Sequence, residues 1–213
     1  MTTPLSFSLI FSLFLSVSAW ADWTQFQGDA RRSGNAPGEV LKASLGLEAA
    51  VPLTDGIYAA PVVSDGVAYV IDGSGVVFAI DTSTFKVKWR FVTHGGAGNC
   101  NNVAAPAVVG KYLHVGTTAG YYYVLNRETG KLVKRIDCAE PIFSAPAVGS
   151  GRVYFATLGA RIYAVSPEGE VAWTWDFVKE EVGFKGNRWL GADWVKFRGD
   201  RVTWKDHFVC SRD

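Results

Sequence analysis

One short pattern returns three times at nearly constant spacing. Ala59-Ala60-Pro61-Val62-Val63 recurs as Ala104-Ala105-Pro106-Ala107-Val108 and again as Ser144-Ala145-Pro146-Ala147-Val148, with proline-to-proline intervals of 45 and 40 residues. A period of that length restricts the chain to architectures in which one supersecondary unit stacks on the next. The residues after each anchor recur as well. A turn (Ser64-Asp65-Gly66, Gly110-Lys111, Gly149-Ser150-Gly151) leads into Val67–Ile71, Tyr112–Gly116 and Arg152–Ala156. A second turn leads into Val76–Ile80, Tyr121–Leu125 and Arg161–Val165, and a third into Val87–Phe91, Leu132–Ile136 and Val171–Trp175. Each run is short, β-branched or aromatic, and bounded by turn residues, which is a strand signature, and no window sustains a helical period. Four short strands per 40–45 residues is the unit of a β-propeller blade.

The repeated residues have physical roles in such a blade. Proline cannot donate to a ladder, so Pro61, Pro106 and Pro146 are expected at strand starts. Gly130 and Gly169 fall in the turn before the fourth strand, where a positive φ is needed. Phe85 holds that place in the first copy, so its turn is expected to differ. Trp89 and Trp173 lie on fourth strands and are expected to pack between blades, while Lys134 occupies that position in the middle copy.

These residues carry a resemblance. Tyr58-Ala59-Ala60-Pro61-Val62-Val63, Val76-Val77-Phe78-Ala79-Ile80-Asp81 and Lys86-Val87-Lys88-Trp89, with Tyr123-Val124-Leu125-Asn126, Thr129-Gly130-Lys131 and Ile162-Tyr163-Ala164-Val165, resemble the pyrroloquinoline-quinone-like (PQQ-like) β-propeller repeat. The leading stretch Asp22-Trp23-Thr24-Gln25-Phe26-Gln27-Gly28-Asp29 looks like the usual start of such propellers. The resemblance implies an all-β fold of four-stranded antiparallel blades, about three of them complete and arranged as an open arc. The expected organisation is a signal peptide over 1–21 and a leading segment over 22–57. Repeats come next at 58–92, 104–137 and 142–176, and then 177–213 as an insertion and the start of a further blade at Phe208–Asp213. Leu45–Val51 is read as an outer strand of a closing blade. Propellers have 4–8 blades, so the reading is either the N-terminal portion of a longer protein or a chain that closes by association.

Residues Leu5 to Ala19 are apolar apart from serines, no charged side chain precedes Asp22, and Ala19-Trp20-Ala21 has the small-x-small form of a cleavage site. That pattern reads as a secretory signal peptide, although Met1–Pro4 lacks Lys and Arg. The run of 15 residues is short of the roughly 20 that span a bilayer. An exported chain, periplasmic or extracellular and without a stable membrane span after cleavage, is the expectation.

Function is less constrained, because one fold serves many roles. With 21 Lys+Arg against 20 Asp+Glu the net charge is +1, which argues against nucleic acid as a partner. A quinoprotein dehydrogenase of the resembled kind uses a vicinal Cys-Cys pair, a stacking Trp and carboxylates around PQQ and calcium. This sequence has no Cys-Cys pair, and no Cys-x-x-Cys-His for haem. No catalytic, cofactor or metal residue is assigned, and PQQ with calcium enters only under the alternative of a quinoprotein fragment. The preferred reading is a non-catalytic scaffold that binds a protein partner. Its binding face would be the loops that share one side of the arc, Asp72–Gly75, Thr93–Val103, Thr117–Gly120, Cys138–Phe143 and Leu158–Ala160, of which Thr93–Val103, with His94, Asn99, Asn101 and Asn102, is the most distinctive; a second candidate is the stretch Lys179–Trp204 outside the repeat, with Arg188, Trp189, Trp194 and Trp204. His114, flanked by Leu113 and Val115, reads as a packed strand residue. An oxidising compartment permits a disulfide, and Cys100 and Cys138, both in inter-blade loops, are the candidate pair, with Cys210 as a rival partner.

Overall fold

The computed structural model describes residues 22–36, 46–95 and 98–198. Among them are three four-stranded antiparallel sheets. Blade 1 consists of β1 (Val62–Ser64), β2 (Val67–Ile71), β3 (Val76–Asp81) and β4 (Val87–Val92). Blade 2 consists of β5 (Ala107–Val109), β6 (Tyr112–Gly116), β7 (Tyr121–Asn126) and β8 (Leu132–Asp137). Blade 3 consists of β9 (Ala147–Gly149), β10 (Arg152–Ala156), β11 (Arg161–Val165) and β12 (Val171–Asp176). Each sheet runs in simple sequence order. The second to fourth strands of every blade begin and end within one residue of the bounds read from sequence, because alternation against turn residues fixes both register and length. Pro61, Pro106 and Pro146 stand immediately before β1, β5 and β9. All three blades slip register at the same point of the third and fourth strands, between Ala79 and Ile80, Val124 and Leu125, and Ala164 and Val165.

The core lies between the sheets. Tyr69, Ile71, Val77 and Ala79 of blade 1 pack with Leu113, Val115, Tyr123 and Leu125 of blade 2. Tyr122 and Val124 of blade 2 pack with Val153, Phe155, Tyr163 and Val165 of blade 3, and the Tyr122 and Phe155 rings stack with centroids 3.7 Å apart.

A repeated grip fastens each blade to the next. The Trp89 indole Nε1–H donates to the Arg127 carbonyl (2.9 Å), and the Tyr69 hydroxyl donates to the same oxygen (3.4 Å). Gly130 lies under the Trp89 ring, where an added Cβ would stand 2.7 Å from Cδ2. At the blade 2–blade 3 seam, His114 and Lys134 hold the equivalent places. His114 Nε2 meets the Pro167 carbonyl (3.0 Å), and Lys134 Nζ meets Glu170 (2.9 Å). A Cβ on Gly169 would stand 2.8 Å from Val124 Cγ2 and 3.0 Å from Lys134 Cβ. Since a carbonyl can only accept, His114 Nε2 carries the proton and Nδ1 accepts from the Tyr122 hydroxyl (3.2 Å). Lys134 is therefore the polar version of the tryptophan grip.

Two turn expectations are corrected. The Phe85 turn does not differ from its glycine counterpart: Phe85 adopts φ +56° and Gly130 φ +70°. Both donate to a carbonyl four residues back, 2.8 Å each, on Asp81 and Asn126. The Asp81 and Asn126 side chains accept from the same backbone N–H positions. It is the blade 3 turn that differs, closing tighter with Ser166 bonded to Glu170. Trp173 is not packed between blades; it is 41% exposed on the flank of blade 3. Gly46–Val51 make no ladder pairing among the described residues, so no strand is seen in the described part of Leu45–Val51, and residues 1–21 and Phe208–Asp213 lie outside them.

The leading segment ties the inner edges of the three sheets together. Trp23 and Val63 exchange both backbone hydrogen bonds (2.8 and 2.9 Å), Val108 N–H donates to the Thr24 carbonyl (2.7 Å), and Val148 N–H donates to Gln25 Oε1 (3.0 Å). Val63, Val108 and Val148 are repeat equivalents, each two residues past its proline. Three edge donors that would otherwise face solvent are thus satisfied by consecutive residues.

The grip and the buried histidine can each be tested. Gly130→Ala is expected to lose about 3 kcal/mol in urea denaturation, from a left-handed backbone and a collision with Trp89. A loss under about 0.5 kcal/mol would contradict the grip. Burial pushes the His114 imidazole down to about 4 from its usual 6.5, against an opposing pull from Pro167 and Glu168. The unfolded chain then binds a proton between those values that the native chain refuses. Stability should fall as pH drops through that window by up to roughly 3 kcal/mol. His114→Gln should flatten the fall, and an unchanged pH profile in the variant would refute it.

Candidate binding face

Hairpins between the second and third strands and the loops between blades converge on one side of the arc, where the strands end. The loop Thr93–Val103 crosses from blade 1 to blade 2 there; Gly96 and Ala97 are outside the described residues. Asn102 is fully buried and spends its side chain on four contacts. Its Nδ2 donates to the Gly73 carbonyl and to Asn99 Oδ1 (3.1 Å each), and its Oδ1 accepts from Thr118 N–H (3.0 Å) and the Thr118 hydroxyl (3.3 Å). Asn99, also buried, donates to Thr93 Oγ1 (2.7 Å) and the Ser74 carbonyl. The two asparagines join the blade 1 hairpin to the blade 2 hairpin. This corrects their assignment as ligand-facing groups: a Gly/Asn-rich loop reads as exposed in sequence, and only the neighbouring hairpins reveal it as a clamp.

His94 and Asn101 are exposed. The His94 backbone N–H donates to the Tyr123 hydroxyl (2.8 Å), while its ring lies edge-on to Tyr121 with centroids 5.8 Å apart. Asn101 takes φ +53°, a conformation Asn tolerates. The Cys100–Cys138 bridge is not formed. Both thiols are free; Cys100 is exposed, whereas Cys138 is buried at the blade 2–blade 3 seam. Burial pushes the Cys138 thiol up to about 12, which leaves it unreactive.

Blade 3 carries a second constellation that the sequence did not suggest beyond Arg188. Glu140, 4% exposed, approaches Arg161 Nη1 (3.4 Å) and Arg188 Nε (3.8 Å) and accepts from Thr157 Oγ1. Asp176 accepts from Arg161 Nε (3.1 Å) and from Arg188 Nη2, and Arg188 also donates to the Gly159 carbonyl. Burial alone would raise Asp176; hydrogen bonds from Arg188, Lys179 and Arg161 outweigh it and hold the carboxyl down to about 2. The knot is positioned by two helices, α1 (Phe177–Glu180) and α2 (Gly191–Arg198), both too short to show a period in sequence. Asp176 caps α1 by accepting from Lys179 N–H. Trp194 stacks on Phe184 at 3.9 Å and donates to the Arg188 carbonyl. Trp189 is half-buried beside it, and Trp204 lies outside the described residues. Next to the knot opens a groove of about 590 Å³, walled by Trp175 and Phe184 and rimmed by Lys179, Glu180 and Lys185.

Every buried side-chain polar atom among the described residues has a partner, and the described residues hold no group of three or more His, Cys, Asp or Glu able to take a metal ion. No helix among them is long and apolar enough to cross a membrane. Beside the exposed His94, Cys100 and Asn101, the loop face leaves apolar side chains to solvent: Val103, Phe143 and Leu158 are 42%, 44% and 48% exposed.

Residues 35–134 and 102–188 match the PQQ-like repeat model described as outer membrane protein assembly factor BamB. The chain belongs to that family. It is 29% identical over 101 residues to the outer membrane protein assembly factor BamB of Legionella pneumophila, covering 47% of this chain and 25% of the relative. It is 30% identical over 145 residues to the quinoprotein alcohol dehydrogenase PedH of Pseudomonas putida, covering 61% and 24%. The solved quinohemoprotein alcohol dehydrogenase of Comamonas testosteroni superposes with a TM-score of 0.63 at 28% identity, over 73% of this chain and 27% of that one. The chain thus spans about a quarter of the length of the curated relatives it matches. The PQQ-type propeller fold expected from the repeats is the fold found.

The clamp and the free loop residues should respond differently to truncation. Asn102→Ala is expected to cost about 3 kcal/mol in urea denaturation by orphaning buried partners. His94→Ala should stay within about 0.5 kcal/mol. Equal costs would show that Asn102 is not the clamp.

Proposed function

We propose that this chain is an exported, non-catalytic propeller module whose loop face docks a protein partner and serves as an assembly scaffold. The observation that carries this is the division of labour on that face. Asn99, Asn102, Glu140 and Arg188 are spent on holding the loops rigid, and Val103, Phe143 and Leu158 stay exposed, beside His94 and Asn101, to offer apolar contact. Apolar side chains on a rigid base are what a docking surface supplies, since little order is lost on binding. Export, to the periplasm or the outside, is supported by the apolar Leu5–Ala19 run and by likeness to a relative named as an outer membrane assembly factor.

A second reading has its own support, the likeness to quinoprotein alcohol dehydrogenases. In it this chain is the N-terminal part of a PQQ-dependent enzyme. The cofactor would bring the redox chemistry of its quinone. The described residues do not fit it on their own: the three cysteines are far apart in sequence, and no acidic or His/Cys cluster is assembled among those residues. No step is assigned to them.

Site-specific photo-crosslinking in the native host separates the two. A crosslinker at Phe143 or Leu158 should give a discrete protein adduct, and one at Lys88 on the outer edge of blade 1 should give none. Absence of any loop-face adduct, together with PQQ- and calcium-dependent alcohol oxidation by the native protein, would replace the scaffold reading with the second.

A further inference from the structure

The groove beside the ion knot of blade 3 carries more positive charge than the knot consumes. Arg161 and Arg188 line it, both bonded to Asp176, with Glu140 behind them. Arg188 is nearly spent: it also donates to the Gly159 carbonyl, and its side chain is 11% exposed. Arg161 leaves 35% of its side chain open. Lys179 and Lys185 stand exposed on the rim, and neither has an ion pair among the described residues. The acidic groups are already engaged. Asp176 accepts from both arginines and from Lys179 N–H, and Glu180 Oε1 accepts from Asp176 N–H (3.2 Å). With Glu140 included, four cations meet three carboxylates, and the two lysine ammonium groups are the ones left to solvent.

Exposed lysines alone are ordinary; here they rim a groove with aromatic walls. Trp175 is half-buried, met edge-on by Phe177 (5.7 Å), and its indole N–H has no acceptor among the described residues. Phe184 is buried and fixed by its stack on Trp194. Gly186 lets Phe184 come close, since a Cβ there would stand 2.8 Å from Cζ. The groove also adjoins the apolar docking residues. Leu158 N–H donates to the Pro141 carbonyl (2.8 Å), two residues before Phe143, and the next residue, Gly159, is the one that Arg188 holds.

We infer that this groove receives a segment of the partner protein that carries acidic side chains next to an aromatic one, the carboxylates drawn to Lys179 and Lys185 and the ring to Trp175. The inference rests on the docking function proposed above and names the chemistry of the partner. The unpaired positive charge selects an anion, and the flat apolar wall beside it selects a ring. An open groove with fixed walls suits a chain laid along it better than a small molecule enclosed by it.

The test is calorimetric titration of the purified full chain with blocked pentapeptides. Gly-Glu-Phe-Glu-Gly should bind saturably with a Kd below about 1 mM. Replacing both Glu by Gln, or Phe by Ala, should weaken it at least about tenfold. Lys179→Glu with Lys185→Glu should weaken the acidic peptide by the same factor and admit Gly-Lys-Phe-Lys-Gly in its place. Both side chains are exposed and unpaired, so the fold should be unaffected. Lys86→Glu with Lys88→Glu makes the same charge change on blade 1 and should leave binding as it is. No saturation, or equal weakening by the blade 1 pair, would overturn the groove as a site. Equal affinity for free 3-phenylpropanoate would make it a small-molecule site and overturn the partner segment. The adducts at Phe143 and Leu158 do not pass through these lysines, so either failure leaves the docking face to its own test.

Discussion

Two side chains closing on one turn hold this arc together. Adjacent blades meet closely at their inner strands and diverge outward, so a seam needs a fastening away from the axis. Trp89 supplies it by bonding the Arg127 carbonyl through its indole N–H and covering Gly130 with its ring face. At this seam glycine stands on one side and a flat donor on the other. Everything else at the seam is compatible with it: Tyr69 adds a second donor to the same oxygen, and the register slip in every blade falls beside the gripping residue. The His114–Lys134 version shows that the position, not the residue type, is what the architecture requires.

At the inner end the leading segment does complementary work. Trp23, Thr24 and Gln25 each satisfy one donor of β1, β5 and β9. On the loop face Asn102 and Arg188 join hairpins to the segments after them. Each blade is thereby held at its inner edge, at its loop end and near its outer strand. A rigid frame of this kind lets a few exposed apolar residues act as a docking surface without ordering costs. It also explains why Asn99, Asn102 and Arg188, which look like site residues in the sequence, are structural.

Much of the frame is legible from the chain alone. Alternation and turn residues give the strands, and the repeat gives the stacking. Gly130 and Trp89 can be assigned roles because each recurs in a second copy. The residues that escape do so for physical reasons. Asn99 and Asn102 bond to hairpins from two different blades, which no local pattern reveals. Glu140, Arg161 and Asp176 meet across three segments. Phe85 reads as a change of turn because glycine is usual there, but the Asp81 cap enforces the same backbone on phenylalanine. His114 looks like ordinary core, and comparing third positions of the second strands places it beside Tyr69 and Tyr154 in role.

The indole protons report most directly on whether the grip exists. Hydrogen exchange monitored by NMR resolves Trp89 and Trp173 in one sample. The account predicts that the Trp89 Nε1 proton, bonded to the Arg127 carbonyl, exchanges orders of magnitude more slowly than that of Trp173, which stands open on the flank of blade 3. Equal rates for the two indoles would contradict it.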